Sequence, residues 1–177
     1  MKALRALVPA ALALAAAALG AAAQDAWETL GPGAIGAGRA ELETRLALHC
    51  QADTCRPAAG TADRFAGVPV ERIDLAFDAD RLARVTVRFD TQHYERVREA
   101  VRDRFGEGAD HSYLARAGMA GEFAAGVFVW SGPGLALVLE QYAGKITRSQ
   151  LVYGTPRALA ALVRDKSATP RGARRDL

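Results

Sequence analysis

The sequence lacks the short motifs by which many enzymes are recognised. Its 177 residues contain no G-x-S-x-G elbow, no H-E-x-x-H pair and no EF-hand loop. Its three histidines, His49, His93 and His111, are scattered along the chain. The run Asp110-His111-Ser112 supplies an acid, a base and a hydroxyl, but adjacent residues rarely face one another as a catalytic triad requires. We therefore predict no catalytic residue.

Cysteine is also scarce, and cofactor motifs are weak. Cys50 and Cys55 are the only two cysteines, and in an oxidising compartment such close neighbours most often pair, so we predict a disulfide. The alternative is a metal site of His49 and both thiolates, which lacks a fourth ligand at the usual spacing.

Gly31 to Gly36 matches G-x-G-x-x-G, yet no predicted strand precedes it to aim amides at a phosphate. No metal and no cofactor is predicted.

Charge of one sign is not concentrated in the body of the chain. Without Lys2 and Arg5 of the N-terminal leader, the 23 basic residues fall to 21, against 20 acidic ones. Acidic residues are interleaved with the arginines, so no basic stripe forms and we predict no nucleic-acid partner. The exception is the basic C-terminal end, residues 167–177, which we predict to be a disordered tail.

The longest apolar run lies at the N-terminus. A basic start is followed by apolar residues 6–19 and by small residues up to Ala23. This layout is typical of a signal peptide, residues 1–23, and the run is too short to span a bilayer comfortably. No cysteine follows the cleavage site to carry a lipid. We predict an exported protein, periplasmic or secreted and not membrane-spanning, with one domain over residues 24–166.

Hydrophobic periodicity predicts an α+β fold. The expected order is helix, two strands, helix, three strands, helix, which gives an antiparallel sheet of about five strands with helices packed on one face. The first helix is predicted over 39–49, followed by a disulfide-bonded loop to residue 69. The expected strands are 72–78, 83–89, 123–130, 135–142 and 147–153, and the later helices are 90–105 and 155–166.

The first predicted hairpin allows a prediction of register. Both strands bury odd-numbered residues, so the numbers of paired residues must sum to an even value. A three-residue loop, Asp78 to Asp80, meets this condition and sets Asp74 opposite Arg84, whereas a five-residue loop would set Asp74 opposite Arg88. We predict the shorter loop because it is commoner and because Asp tolerates the left-handed region.

A short stretch before the first helix resembles a known class of exported proteins. Gly36-Ala37-Gly38-Arg39-Ala40-Glu41-Leu42 is a small-residue approach to a helix, with short hairpins after it. It resembles the beginning of small proteins of the SmpA/OmlA and beta-lactamase-inhibitor-protein type. The resemblance implies a non-enzymatic binding or scaffold protein with helices on an antiparallel sheet. Lipoprotein members carry a lipidated cysteine that this chain lacks.

Aromatic side chains at strand ends are the candidates for a partner surface. Trp130 and Ser131 open the turn up to Gly134, and Tyr142 and Tyr153 end later strands. Aromatics with a polar tip suit interfaces, and core packing is the alternative for each. Glu140 lies in an apolar strand, and we expect it to point away from the leucine-rich core.

Two functions follow from these observations. The first is a non-enzymatic exported protein that binds another envelope or secreted protein through its open sheet face or the loops at its edge. The alternative is a small periplasmic hydrolase whose site is assembled from distant residues. A concave pocket holding His111 or His93 beside a carboxylate and a hydroxyl would favour the enzyme. The oligomeric state is not predicted.

Overall fold

The computed structural model describes residues 25–116 and 121–176. The predicted signal peptide, residues 1–23, lies outside the described residues. The described helices are α1 (Ala26–Leu30), α2 (Arg39–Glu43), α3 (Tyr94–Phe105) and α4 (Pro156–Ser167). The described strands are β1 (Leu48–Gln51), β2 (Thr54–Pro57), β3 (Arg64–Phe65), β4 (Val68–Pro69), β5 (Arg72–Asp78), β6 (Arg81–Asp90), β7 (Ala109–Asp110), β8 (Tyr113–Arg116), β9 (Glu122–Ala125), β10 (Val127–Ser131), β11 (Ala136–Glu140), β12 (Arg148–Gly154) and β13 (Arg174–Asp176).

The main sheet has eight strands in the order β1-β2-β5-β6-β12-β11-β10-β7. All of its pairings are antiparallel. The predicted α+β class with an antiparallel sheet is therefore confirmed, whereas five strands was too few. The additional strands β1, β2 and β7 are short and carry little hydrophobic alternation, so their pairing with neighbours defines them more than their own sequence does.

The first predicted helix ends early because a hairpin follows it. Helix α2 stops at Glu43, and the next residues form the hairpin of β1 and β2. In this hairpin Cys50 lies directly opposite Cys55, with their Cα atoms 4.0 Å apart, and the two are bonded as predicted. The segment predicted as helix end and loop is thus a cross-linked strand pair.

The hairpin of β5 and β6 differs from the predicted register. Asp74 lies opposite Thr86, so the even sum is confirmed but the three-residue loop is wrong. The turn consists of Ala79 and Asp80, both with positive φ, as a two-residue hairpin turn requires. The register shifts beyond Ala76. The numbers of paired residues sum to an odd value next to the turn and to an even value along the rest of the ladder, and a β-bulge accounts for the change.

Helices pack on both faces of the sheet, which corrects the prediction of one covered face. The inner face contains Leu75, Val87 and Leu139, and its core cluster includes residues from α1 and α3. Helix α4 packs on the outer face, where Leu159 joins Ala136 and Val152 in a separate cluster. Thr155 caps α4 by accepting a hydrogen bond from the Ala158 amide, as the sequence predicted.

The described part of the C-terminal end, up to residue 176, includes a further strand, where the sequence predicts a disordered tail over 167–177. Helix α4 extends to Ser167, and β13 pairs in parallel with β8. The amide of Leu114 donates to the carbonyl of Ala173 at 2.7 Å. Strand β8 thus lies between β9 and β13 in a separate three-stranded sheet, and β13 pairs with the edge that β9 leaves open. In the described residues no helix has the length and apolar character needed to cross a membrane.

Candidate functional site

The outer face of the sheet is divided into two parts. Helix α4 contacts β10, β11 and β12 and also reaches β6, and we call the part formed by β10, β11 and β12 the covered half. Strands β2, β5 and β6 form the open half. Side chains alternate along each strand, so even-numbered residues point outward there, except on the turn side of the bulge, where Leu82 is buried. The outward residues include Asp74 and four arginines, Arg56, Arg72, Arg84 and Arg88.

Three arginines converge on one carboxylate in the open half, and we call Asp74 with Arg56, Arg72 and Arg88 the arginine cluster. The Nε groups of Arg56 and Arg72 each donate to Asp74 Oδ1 at 2.8 Å. Arg72 Nε also lies 2.8 Å from Oδ2, and Arg88 donates to Oδ2 at 2.9 Å. Both carboxylate oxygens therefore accept charged donors.

The cluster is more cationic than its own stability requires. Arg72 and Arg88 are direct cross-strand neighbours, and like charges in that position repel. Asp74 lies between them with its side chain 16 % exposed and offsets one charge of three. Beside it, Arg148 donates to Glu71 at 2.9 Å, which is a balanced pair. A net positive charge thus faces solvent.

The pKa of Asp74 reports this environment. Partial burial alone would raise it, because desolvation disfavours the charged form. Hydrogen bonds from Arg72 and Arg56, with the charges of Arg72 and Arg88, outweigh that effect and hold the pKa below its usual 3.8. Asp74 is therefore ionised at neutral pH.

A cleft opens next to the cluster. It has a volume of about 370 Å³, and Arg56 and Arg72 form part of its wall together with Asp63 and Glu71. The rest of its lining is small or aliphatic. These apolar residues are Pro57, Ala58, Ala59, Ala62, Val70 and Ile73.

The predicted partner surface is not brought together at one exposed site. Tyr153 is fully buried and its hydroxyl donates to the carbonyl of Leu30, so it is a core residue. Trp130 is 8 % exposed, and its indole donates to the Gly106 carbonyl at 2.8 Å. Ser131 is exposed, while Tyr142 is half-buried and packs edge-on against Phe123. The core alternative applies to Trp130 and Tyr153.

Trp130 lies tight against the backbone of Gly108. A Cβ atom built at Gly108 would come within 2.6 Å of the indole, so only glycine fits there. This contact and the Gly106 hydrogen bond fix the ring from two sides. Trp130 thus anchors the loop after α3.

A groove of about 540 Å³ borders Trp130. His111, Glu107, Ser131 and Ser167 are among its lining residues, on a base that includes Phe105 and Leu137. The lining of this groove therefore includes an imidazole, a carboxylate and hydroxyls. The run Asp110-His111-Ser112, however, is not a triad: Asp110 accepts from the Ser112 amide and pairs with Arg171, and Ser112 Oγ accepts from the Val127 amide.

Glu140 points outward as predicted but is buried under α4. Its side chain is 8 % exposed and accepts from Lys166 Nζ at 2.8 Å and from Gln150 at 3.0 Å. The sequence indicated the face but not the helix that covers it. The described residues contain no group of three or more His, Cys, Asp or Glu side chains placed to hold a metal ion.

Sequence reasoning missed the arginine cluster. Arg72, Arg84 and Arg88 were recognised as outward-pointing, but Arg56 belongs to a segment predicted as a loop. Pairing of Cys55 with Leu75 brings Arg56 beside Asp74. Outward arginines on neighbouring strands around one acid were the signal available. Comparison with protein-family models, with curated proteins and with solved structures finds no match to this chain.

Proposed function

We propose that this chain is an exported, non-enzymatic binding protein, and that its open half binds an acidic segment of another envelope or secreted protein. The observation that carries the proposal is the arginine cluster. Three guanidinium groups share one carboxylate on an uncovered sheet face. The predicted signal peptide and the Cys50–Cys55 disulfide support an oxidising, extracytoplasmic setting.

The charge arrangement favours a ligand of opposite sign. Exposed ion pairs stabilise a fold by about 1 kcal/mol or less each. Three arginines around one aspartate therefore contribute little to the stability of the fold. Guanidinium groups are well suited to carboxylates, which they bind through two parallel hydrogen bonds. An acidic segment would relieve the repulsion between Arg72 and Arg88.

The test is binding of a labelled oligoglutamate peptide to the mature protein, followed by fluorescence anisotropy. We expect Arg56→Ala with Arg72→Ala to weaken binding about tenfold, the sum of two exposed ion pairs. The matched control is Arg157→Ala with Arg164→Ala, two exposed arginines of α4 that remove the same net charge. We expect the control to change affinity less than about twofold.

Two results would contradict the proposal. Equal losses in both double variants would show that only net charge attracts the peptide. Absence of binding even at low ionic strength would show that the open half does not recognise acidic segments.

A hydrolase is the second candidate function, and the groove beside Trp130 is the observation that favours it. It holds His111 with a carboxylate and hydroxyls, the residue types of nucleophilic catalysis. The assay is hydrolysis of a chromogenic ester by the mature protein, by His111→Ala and by the control His93→Ala. Activity lost only in His111→Ala, with the fold retained, would overturn the non-enzymatic proposal.

A further inference from the structure

The cleft beside the arginine cluster narrows the class of ligand. We propose that the open half takes a peptide segment in which an aliphatic side chain neighbours a single carboxylate. The aliphatic group fills the cleft, and the carboxylate contacts Arg56 and Arg72. This inference rests on the proposed function and specifies which acidic segments bind.

The apolar part of the cleft has room for a side chain. Its volume of about 370 Å³ lies at the lower end of the range for ligand sites, about 300–1,000 Å³. Alanines 58, 59 and 62 leave the space open because their side chains are short. Val70 and Ile73 add aliphatic surface, so the cleft suits one or two aliphatic groups more than a large cofactor.

The charged part of the cleft favours a monoanion. Four arginines, Arg56, Arg72, Arg88 and Arg148, lie in or beside the cleft, and three carboxylates, Asp63, Glu71 and Asp74, oppose them. Asp63 also accepts from the Gly60 amide at 3.1 Å. One positive charge is therefore left over. A carboxylate matches that surplus, whereas a doubly charged phosphate would meet the two carboxylates of the wall.

The two arginines keep donors for such a group. Asp74 is contacted by the Nε atoms of Arg56 and Arg72. Within residues 25–116 and 121–176, the hydrogen bonds of these two guanidinium groups all come from Nε, and their terminal nitrogens donate none. They are therefore able to bind a second carboxylate while Asp74 holds the first.

The test uses three labelled peptides that differ at one or two positions: leucine beside glutamate, serine beside glutamate, and leucine beside phosphoserine. We expect the leucine–glutamate peptide to bind about tenfold more tightly than the serine–glutamate peptide, as expected for filling an apolar pocket. We also expect the phosphoserine peptide to bind more weakly than the leucine–glutamate one. Ala59→Trp, which fills the cleft from an exposed position, should remove the preference for leucine. Ala160→Trp, on the exposed face of α4, is the control and should leave it unchanged.

The binding results distinguish the role of the cleft from the binding of acidic segments by the open half. A leucine preference that survives Ala59→Trp, or tighter binding of phosphoserine, would overturn the cleft assignment while leaving an acidic-segment binder. If Arg56→Ala with Arg72→Ala affected none of the three peptides, the proposed function and the cleft assignment would fall together.

Discussion

One carboxylate on the covered half of the outer sheet face and one on the open half have their charges satisfied differently. Glu140, under α4, is matched by one ammonium group, Lys166, and by the amide of Gln150. Asp74, on the open half, is contacted by three arginines. The covered site balances its charge and buries it, whereas the open site exposes an excess.

We propose that this difference separates a structural polar site from a binding site. A buried carboxylate must be paired, because an unpaired charge in the interior is costly. Balance at Glu140 therefore follows from folding alone. Excess charge at Asp74 has no such cause, since the repelling Arg72 and Arg88 would be avoided if stability were the only requirement. We therefore propose that the carboxylate of the covered half serves the fold and that the open half serves recognition.

The largest expected effect comes from removing the contact that docks α4. Leu159 is fully buried in the cluster with Ala136 and Val152. Leu159→Ala should lower the free energy of unfolding by about 2–5 kcal/mol, the cost of a cavity left by a large-to-small core change. Denaturant unfolding measures this loss of free energy. Ala161→Gly, on the exposed side of the same helix, is the control for a change in helix propensity alone. A loss no greater than that of the control would show that α4 does not depend on Leu159.

Breaking the balanced pair of the covered half should cost less. Lys166→Met leaves Glu140 buried with only Gln150 as a partner, and we expect a loss of about 1–3 kcal/mol in the free energy of unfolding. The double variant Glu140→Gln with Lys166→Met removes both charges and should recover most of the loss. Additive losses in the double variant would contradict a coupled pair.

The unbalanced site of the open half should contribute least to stability. The folded pKa of Asp74 lies below 3.8, so its ionised form stabilises the fold above that pH, and the contribution disappears as pH falls through the folded pKa. Asp74→Asn should therefore be less stable than the parent by about 1 kcal/mol near neutral pH, with the gap closing in acid. Unfolding free energies measured across this pH range test the sign. A gap that widens in acid would contradict it.

How much the sequence could predict depended on how locally each element is specified. Strand β5 and helices α3 and α4 have clear periodicity and caps, and they lie where the sequence predicted them. Strands β1 and β2 form a local hairpin that joins the sheet through β5, and β13 pairs with the distant β8. No hydrophobic alternation in these short strands indicates the pairings. The candidate site follows the same division, because the outward direction of Arg72 and Arg88 was predictable and the arrival of Arg56 was not.

We propose that the open half gives up stability for the recognition of acidic segments. The most direct test is the affinity of Asp74→Asn for the labelled oligoglutamate peptide at low ionic strength, measured by fluorescence anisotropy. Removing the one carboxylate that offsets the three arginines should tighten binding about threefold, the effect of one exposed charge, even though the same change destabilises the fold. Weaker binding by a folded Asp74→Asn protein would contradict the claim, because it would show that the arginines serve Asp74 and not a ligand.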